Sequence, residues 1–219
     1  MRAMARAGRF IVLEGIDGAG TTTQAELLST ELRREGRQVL TTGEPSDGPI
    51  GTLIRQALTE TLHPPIQWGA LSDDALALLF AADRLDHLRA QILPALERGQ
   101  VVICDRYLLS SLAYQGSVLP VDWVEQINAR AISPDLTIFL EVNAEIAAER
   151  RASRGGKAEL FENPERQRKV IQQYLAAIRS RDGKERIARV DGNRPLAEVS
   201  AEVLNLVRQE LKATAAPPR

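Results

Sequence analysis

Residues 10–24 read FIVLEGIDGAGTTTQ. The run Phe10–Leu13 is continuously apolar, as expected for a strand covered on both faces. Glycines at 15, 18 and 20 follow, and then a segment with Leu27, Leu28 and Leu32 at helical spacing. A glycine-rich turn between strand and helix can wrap an oxyanion. It points backbone N–H groups inward and adds the positive end of the helix dipole. The general pattern of such phosphate loops is G-x-x-x-x-G-K-[ST], with the lysine on the β/γ-phosphates and the hydroxyl on Mg²⁺. Gly15 and Gly20 keep this spacing and Thr22 supplies the hydroxyl, but position 21 is threonine rather than lysine. Taken alone, the stretch is also compatible with an ordinary glycine-rich connection.

Four more apolar runs have strand character: Gln38–Thr42, Val101–Cys104, Leu136–Val142 and Ile187–Val190. Between them lie helical patterns over Thr22–Arg34, Asp73–Leu96 and Leu196–Leu211. Strand and helix alternate, which predicts an α/β fold with a parallel sheet flanked by helices. Ligands of such sheets sit at the carboxyl ends of the strands. No repeat or linker divides the chain, so residues 1–212 are expected to form one domain and 213–219 a disordered tail.

Composition narrows the partners. Among 219 residues there are 28 Lys plus Arg and 29 Asp plus Glu, a net charge of -1 that gives no footprint for nucleic acid. No apolar run approaches the roughly 20 residues of a membrane span. The single cysteine, Cys104, excludes an intramolecular disulfide and fits a reducing compartment. A cytoplasmic protein without membrane or nucleic-acid partners is expected. His63 and His87 lack metal-ligand spacing, Cys104 reads as a buried strand residue, and Trp68 and Trp123 read as packing or dimer-surface residues.

Strand ends carry the remaining chemistry. After the second comes TTGEPSDGPIGTLIRQAL (41–58), a rigid connection with Arg55 one turn into the next helix. There Arg55 is either a ligand for an anion or a solvated helix cation. After the third comes VVICDRYLLSSLAYQG (101–116), in which Asp105 can hold hydrated Mg²⁺ and Arg106 offers a planar fork to phosphate.

With these stretches stand LLFAADRLDH (78–87), ILPALERGQVVICDRY (92–107), SPDLTIFLEV (133–142), ELFE (159–162) and VDGNRPLAEV (190–199). Together they resemble the thymidylate kinases over essentially the whole chain, the CDRY…AYQG block most specifically. The resemblance implies a three-layer P-loop NTPase fold with a five-stranded parallel sheet, usually as a homodimer. It also implies transfer of the γ-phosphoryl of ATP to dTMP with Mg²⁺. Phe80 would stack on thymine and Arg84, on the same helix face at i+4, would bond the base edge. Ser111 would read the pyrimidine N3 edge, with Gln115 beside it in the AYQG block. Tyr114 would lie under the sugar. Arg106 would bridge the two substrates' phosphates, Asp17 would lie near the 3′-hydroxyl and the metal, and Arg55 would hold the dTMP phosphate. ATP would sit on Gly15, Ile16, Asp17, Gly18, Ala19, Gly20, Thr21 and Thr22, with Arg150, Arg154 and Asp191 as further contacts. Thr22 and Asp105 would hold the metal.

RRASRGGKAELFE (150–162) places Arg150, Arg151, Arg154 and Lys157 around Gly155-Gly156, as suits a lid closing over phosphates. Such a basic lid, with Ala19 in the loop, resembles the bacterial-type members, whose lid supplies a catalytic arginine; Arg154 is the expected one. Three departures from the family delete positive charge: Thr21 for lysine, Gly43 for an arginine before Glu-Pro, and Leu160 for an arginine in the lid. One charge-assisted hydrogen bond contributes roughly 1.5–3 kcal/mol, so these losses matter. The retained residues favour an active kinase whose missing charge has moved to the lid. A catalytically weak nucleotide-binding homologue and a kinase for another nucleoside monophosphate are the alternatives.

Overall fold

The computed structural model describes residues 7–59, 70–153 and 164–213. Five strands form one sheet: β1 (Arg9–Glu14), β2 (Val39–Gly43), β3 (Val101–Asp105), β4 (Leu136–Glu141) and β5 (Ile187–Asp191). Their order is β2-β3-β1-β4-β5, and all pairings are parallel, with Leu13 opposite Asp105 on one side and Ile138 on the other. The expected α/β class with a five-stranded parallel sheet is therefore observed.

Nine α-helices connect and cover the strands among the described residues: α1 (Thr21–Arg34), α2 (Pro49–Leu58), α3 (Asp73–His87), α4 (Leu93–Glu97), α5 (Leu108–Tyr114), α6 (Val121–Ile127), α7 (Ala144–Ala152), α8 (Pro164–Ser180) and α9 (Leu196–Ala213). β1 shows why its run is unbroken. Ile11 and Leu13 join the core on one face, while Phe10 and Val12 join Leu88, Ile92, Leu96 and Tyr107 on the other. The edge strands differ from the reading of strands covered on both faces: β2 is half-buried throughout and β5 has one buried residue, Val190. An edge strand lacks a neighbour on one side, so its helical cover is incomplete.

The single helix expected over Asp73–Leu96 is interrupted. A π-helical turn, Leu88–Ile92, separates α3 from α4, and Pro94 stands in the first turn of α4. Proline has no N–H for the ladder, and widening the preceding turn absorbs that loss. Leu27 and Leu85, read as members of apolar faces, are 38% exposed. Ala213, assigned to the tail, is the last residue of α9. Of the lid segment, Arg150–Ala152 lie in α7; Arg154, Lys157, Leu160 and the ELFE motif lie outside the described residues, as do His63 and Trp68.

β1 is the strand from which the chain first steps outward to β2, beyond β3, and later to the opposite side with β4. The crevice at its carboxyl end is the topological switch point. The loop at Gly15 opens there, flanked by the ends of β3 and β4.

Candidate active site

The loop between β1 and α1 presents donors rather than side chains. Gly20 caps α1 in the left-handed region at φ 95°, with no side chain bonded to the helix end and no acidic residue in the first turn. The first N–H groups of α1 are thus available to an anion. Gly18, at φ 88°, is required for a second reason: a Cβ there would lie 2.3 Å from the carbonyl of Ala147 in α7. Thr21 is buried, and a Cβ on Gly15 would stand only 3.4 Å from its methyl group. It packs within the loop.

At the neighbouring end of β3, the hydroxyl of Thr22 donates to Asp105 Oδ2 at 2.5 Å. Asp105 Oδ1 is buried with no hydrogen-bond partner among the described residues. An orphaned carboxylate oxygen beside a hydroxyl fits a divalent cation. Mg²⁺ takes one or two protein ligands and completes its shell with water and phosphate, so no larger acidic cluster is needed. These two residues fit the group expected from the sequence.

Arg106 follows with φ 69°, the only non-glycine residue with positive φ among those described. Its N–H donates to Leu13 O at 2.8 Å, and Cys104 Sγ donates to its carbonyl at 3.1 Å. Such a conformation costs of order 1–3 kcal/mol and persists where surroundings impose it. The result aims the guanidinium into the crevice. Nη1 donates to Gly15 O and Nη2 to Asp17 Oδ1, both at 2.7 Å, with the cation 5.4 Å above the Tyr114 ring. Tyr114 in turn accepts from the Asp17 N–H at 3.0 Å. Burial pushes the Tyr114 phenol well above its ordinary value, so it stays neutral.

Sequence reasoning had overlooked the support beneath this constellation. Buried Glu14 accepts from Tyr107 N at 2.9 Å, from the Ser110 hydroxyl at 2.6 Å and from the Tyr174 hydroxyl at 3.1 Å. Burial raises its carboxyl pKa, against the lowering effect of the Ser110 bond and of Arg106. Tyr174 also donates to Gly15 O at 3.1 Å, and Gln167 Nε2 donates to Asp17 Oδ2 at 3.1 Å. A lone carboxylate ending an apolar strand was a readable sign for Glu14. Gln167 and Tyr174, on distant α8, gave none.

A cleft lined by Asp17, Glu44, Phe80, Arg106, Ser111 and Tyr114, with Gln115 beside them, opens next to the loop. Arg84 is buried behind two of the lining residues, Glu44 and Ser111. Nη2 donates to Glu44 Oε2 at 2.6 Å, to Tyr107 O at 2.9 Å and to Ser111 Oγ at 3.1 Å, and Nη1 donates to Asn128 Oδ1. The guanidinium also lies 5.0 Å from the Tyr107 ring centroid. A second cavity, about 490 Å³, reaches from Thr22 and Asp105 past Gly43 to Pro45 and Arg55. Arg55 donates to Pro45 O and Ser46 O, both at 2.6 Å, and Asp83 accepts from Ser46 N at 2.7 Å. The connection after β2 is therefore clamped from both sides.

On the far side of the loop, Arg150 donates to Gly192 O at 2.9 Å, beside Asp191. Asp191 is held below the ordinary carboxylate range by bonds from the Asn193 N–H and side chain. The geometry thus brings together the loop, Thr22, Asp105, Arg106, Tyr114, Ser111, Arg84 and Phe80. It groups Arg150 with Asp191 separately, and places Arg55 at the remote end of the second cavity.

A parallel sheet with a glycine loop at its switch point, a hydroxyl–carboxylate pair and an arginine between two clefts defines a P-loop phosphotransferase. The thymidylate kinase family model matches residues 13–203, and the chain belongs to that family. It is 43% identical to the probable thymidylate kinase of Pyrococcus abyssi over 205 residues, covering 93% of this chain and 98% of that protein. It is 38% identical to the thymidylate kinase of Ruegeria pomeroyi over 217 residues, 96% and 100% of the two chains.

Proposed function

We propose that the chain transfers the γ-phosphoryl of ATP to dTMP in nucleotide biosynthesis, with ATP on the Gly15–Thr22 loop and dTMP in the cleft of Phe80, Ser111 and Tyr114. Family membership makes it an ATP-dependent nucleoside monophosphate kinase. The observation that supports these roles most directly is Arg106, braced on the donor loop at Gly15 and Asp17 and lying over Tyr114 of the acceptor cleft.

The acceptor is a phosphate monoester oxygen, ionised near neutrality because its second pKa is about 6. It needs no general base to attack. The P–O bond to dTMP forms as the bond to the β-phosphate bridging oxygen breaks, leaving ADP. Positioning and charge stabilisation therefore do most of the work. Arg106 meets the transferring group from the acceptor side, the α1 N–H groups from the donor side. Thr22 and Asp105 would hold Mg²⁺, which when bound supplies charge neutralisation on the phosphate oxygens. Phe80 stacks on the base, Arg84 sets Ser111 at the base edge with Gln115 beside it, and Tyr114 supports the sugar. Arg55 holds the 45–47 connection, whose Pro45 lines both cavities, and so would act on the dTMP phosphate through that connection. Arg150 and Asp191 belong to the ATP side, and Arg154, outside the described residues, would be the catalytic arginine.

The test is coupled ADP and dTDP formation with ATP and Mg²⁺, offering dTMP, dUMP, dCMP and UMP. Turnover with dTMP well above the others is expected. Turnover confined to another monophosphate would overturn the acceptor assignment, and dTMP binding without dTDP the kinase assignment.

We place the catalytic unit, residues 1–212, in the cytoplasm as a homodimer. No described helix is long and apolar enough to cross a membrane. Leu71, Leu78 and Leu85, seven residues apart along α3 and its entry, are 40%, 50% and 38% exposed. Such a stripe suits a partner helix. Leu78→Asp should shift sedimentation from dimer to monomer.

A further inference from the structure

The loop that lacks its lysine is not without cations. Two guanidinium groups reach its backbone carbonyls: Arg106 at Gly15 O, and Arg151 of α7 at Asp17 O. Arg151 is not part of the assignment above, and its position has a structural cause. Gly18 lies so close to Ala147 that a Cβ would overlap the Ala147 carbonyl. Ala147 and Arg151 are four residues apart in α7 and share a face. The packing that seats the helix on the loop therefore also delivers the guanidinium to it.

The carbonyl that Arg151 holds belongs to the peptide whose N–H is that of Gly18. A cation on the oxygen polarises that peptide and makes its N–H a stronger donor to an anion. The same contact fixes the loop in the crevice before substrate arrives. We propose that Arg151 is a positioning residue of the phosphoryl-transfer site that takes over, through the Asp17–Gly18 peptide, the charge and bracing that a lysine at position 21 would supply.

The proposal rests on the phosphotransfer reading, and ADP affinity measured calorimetrically without any acceptor separates the two. Arg151→Ala should weaken ADP binding and lower kcat/KM for ATP by about 10², within the range for a lost preorganised donor. KM for dTMP should stay within about twofold. Thr21→Lys in the Arg151→Ala background should restore at least about tenfold of the lost kcat/KM for ATP. Arg151→Lys, which keeps the charge and covers the case of a poorly folded alanine variant, should remain within about fivefold of the parent. The assignment is overturned by a double variant no better than Arg151→Ala, by a lysine as poor as the alanine, or by ATP and dTMP parameters falling together with Tm. It is equally overturned if Thr21→Lys rescues Arg154→Ala and leaves Arg151→Ala unimproved.

Discussion

The donor loop and the acceptor wall hold their positive charge in opposite ways. At the loop, Arg106 sits in a crevice with 19% of its side chain exposed and bonds a carboxylate and a backbone carbonyl. At the wall, the side chains of Arg84 and Glu44 are 1% and 3% exposed and pair at 2.6 Å, with Asn128, Tyr107 and Ser111 completing the shell. A half-open site reached by several cations can lose one and redistribute its work. A buried pair is less tolerant, because a charge left in place keeps little water and weaker partners: for Glu44 the nearest is His87 Nδ1 at 3.5 Å. This contrast is consistent with a threonine at position 21 beside an intact Arg84–Glu44 pair.

Breaking the wall should give the largest effect. Arg84→Ala leaves Glu44 buried with only His87 Nδ1, 3.5 Å away, beside it, and a loss of about 3–5 kcal/mol is expected, read as a fall in the urea midpoint. A fall below about 1 kcal/mol would mean that Glu44 finds water. Next comes the Thr22–Asp105 pair proposed to hold Mg²⁺. Asp105→Asn should lower kcat by about 10²–10³ with little change in Tm, and excess Mg²⁺ should recover part of it. A large drop in Tm instead would make Asp105 a structural anchor of Thr22.

Ser111→Ala removes one acceptor of Arg84 and a donor facing the cleft. One hydrogen bond is worth about 1 kcal/mol, so KM for dTMP should rise about five- to tenfold with kcat and KM for ATP unchanged. The smallest effect concerns Glu14, whose folded pKa is raised by burial. A raised carboxyl favours the folded state below the ordinary glutamate pKa, and that contribution is lost as pH rises through the folded value. Glu14→Gln, which keeps an oxygen for the Tyr107 and Ser110 N–H groups, should therefore gain Tm relative to the parent between pH 4 and 7. A parallel pair of Tm–pH curves would refute the shift.

Much of the donor side was legible because it is local. Gly15, Gly20 and Thr22 are a spacing motif, and Asp105-Arg106 ends an apolar run. The acceptor roles proposed for Phe80, Arg84, Ser111 and Tyr114 rest on family resemblance, since Phe80 alone is indistinguishable from a core aromatic. Its half-buried place beside the cleft is a tertiary fact. Glu14 was missed although its position was telling, because an acidic residue before a glycine loop has no spacing rule of its own.

From sequence alone came the alternation of strands and helices, the phosphate loop with its missing lysine, and the acid and arginine at the end of β3. Each depends on neighbours within a few turns of chain, where periodicity and motif spacing carry the information. Only the tertiary structure decided that Tyr174 would reach Gly15 and Glu14, that Gln167 would reach Asp17, and that α7 would seat Arg151 on the loop. Those contacts join residues more than 130 positions apart. They arise where helices following β4 pack against the loop after β1, and that meeting is set by sheet order rather than by any local pattern.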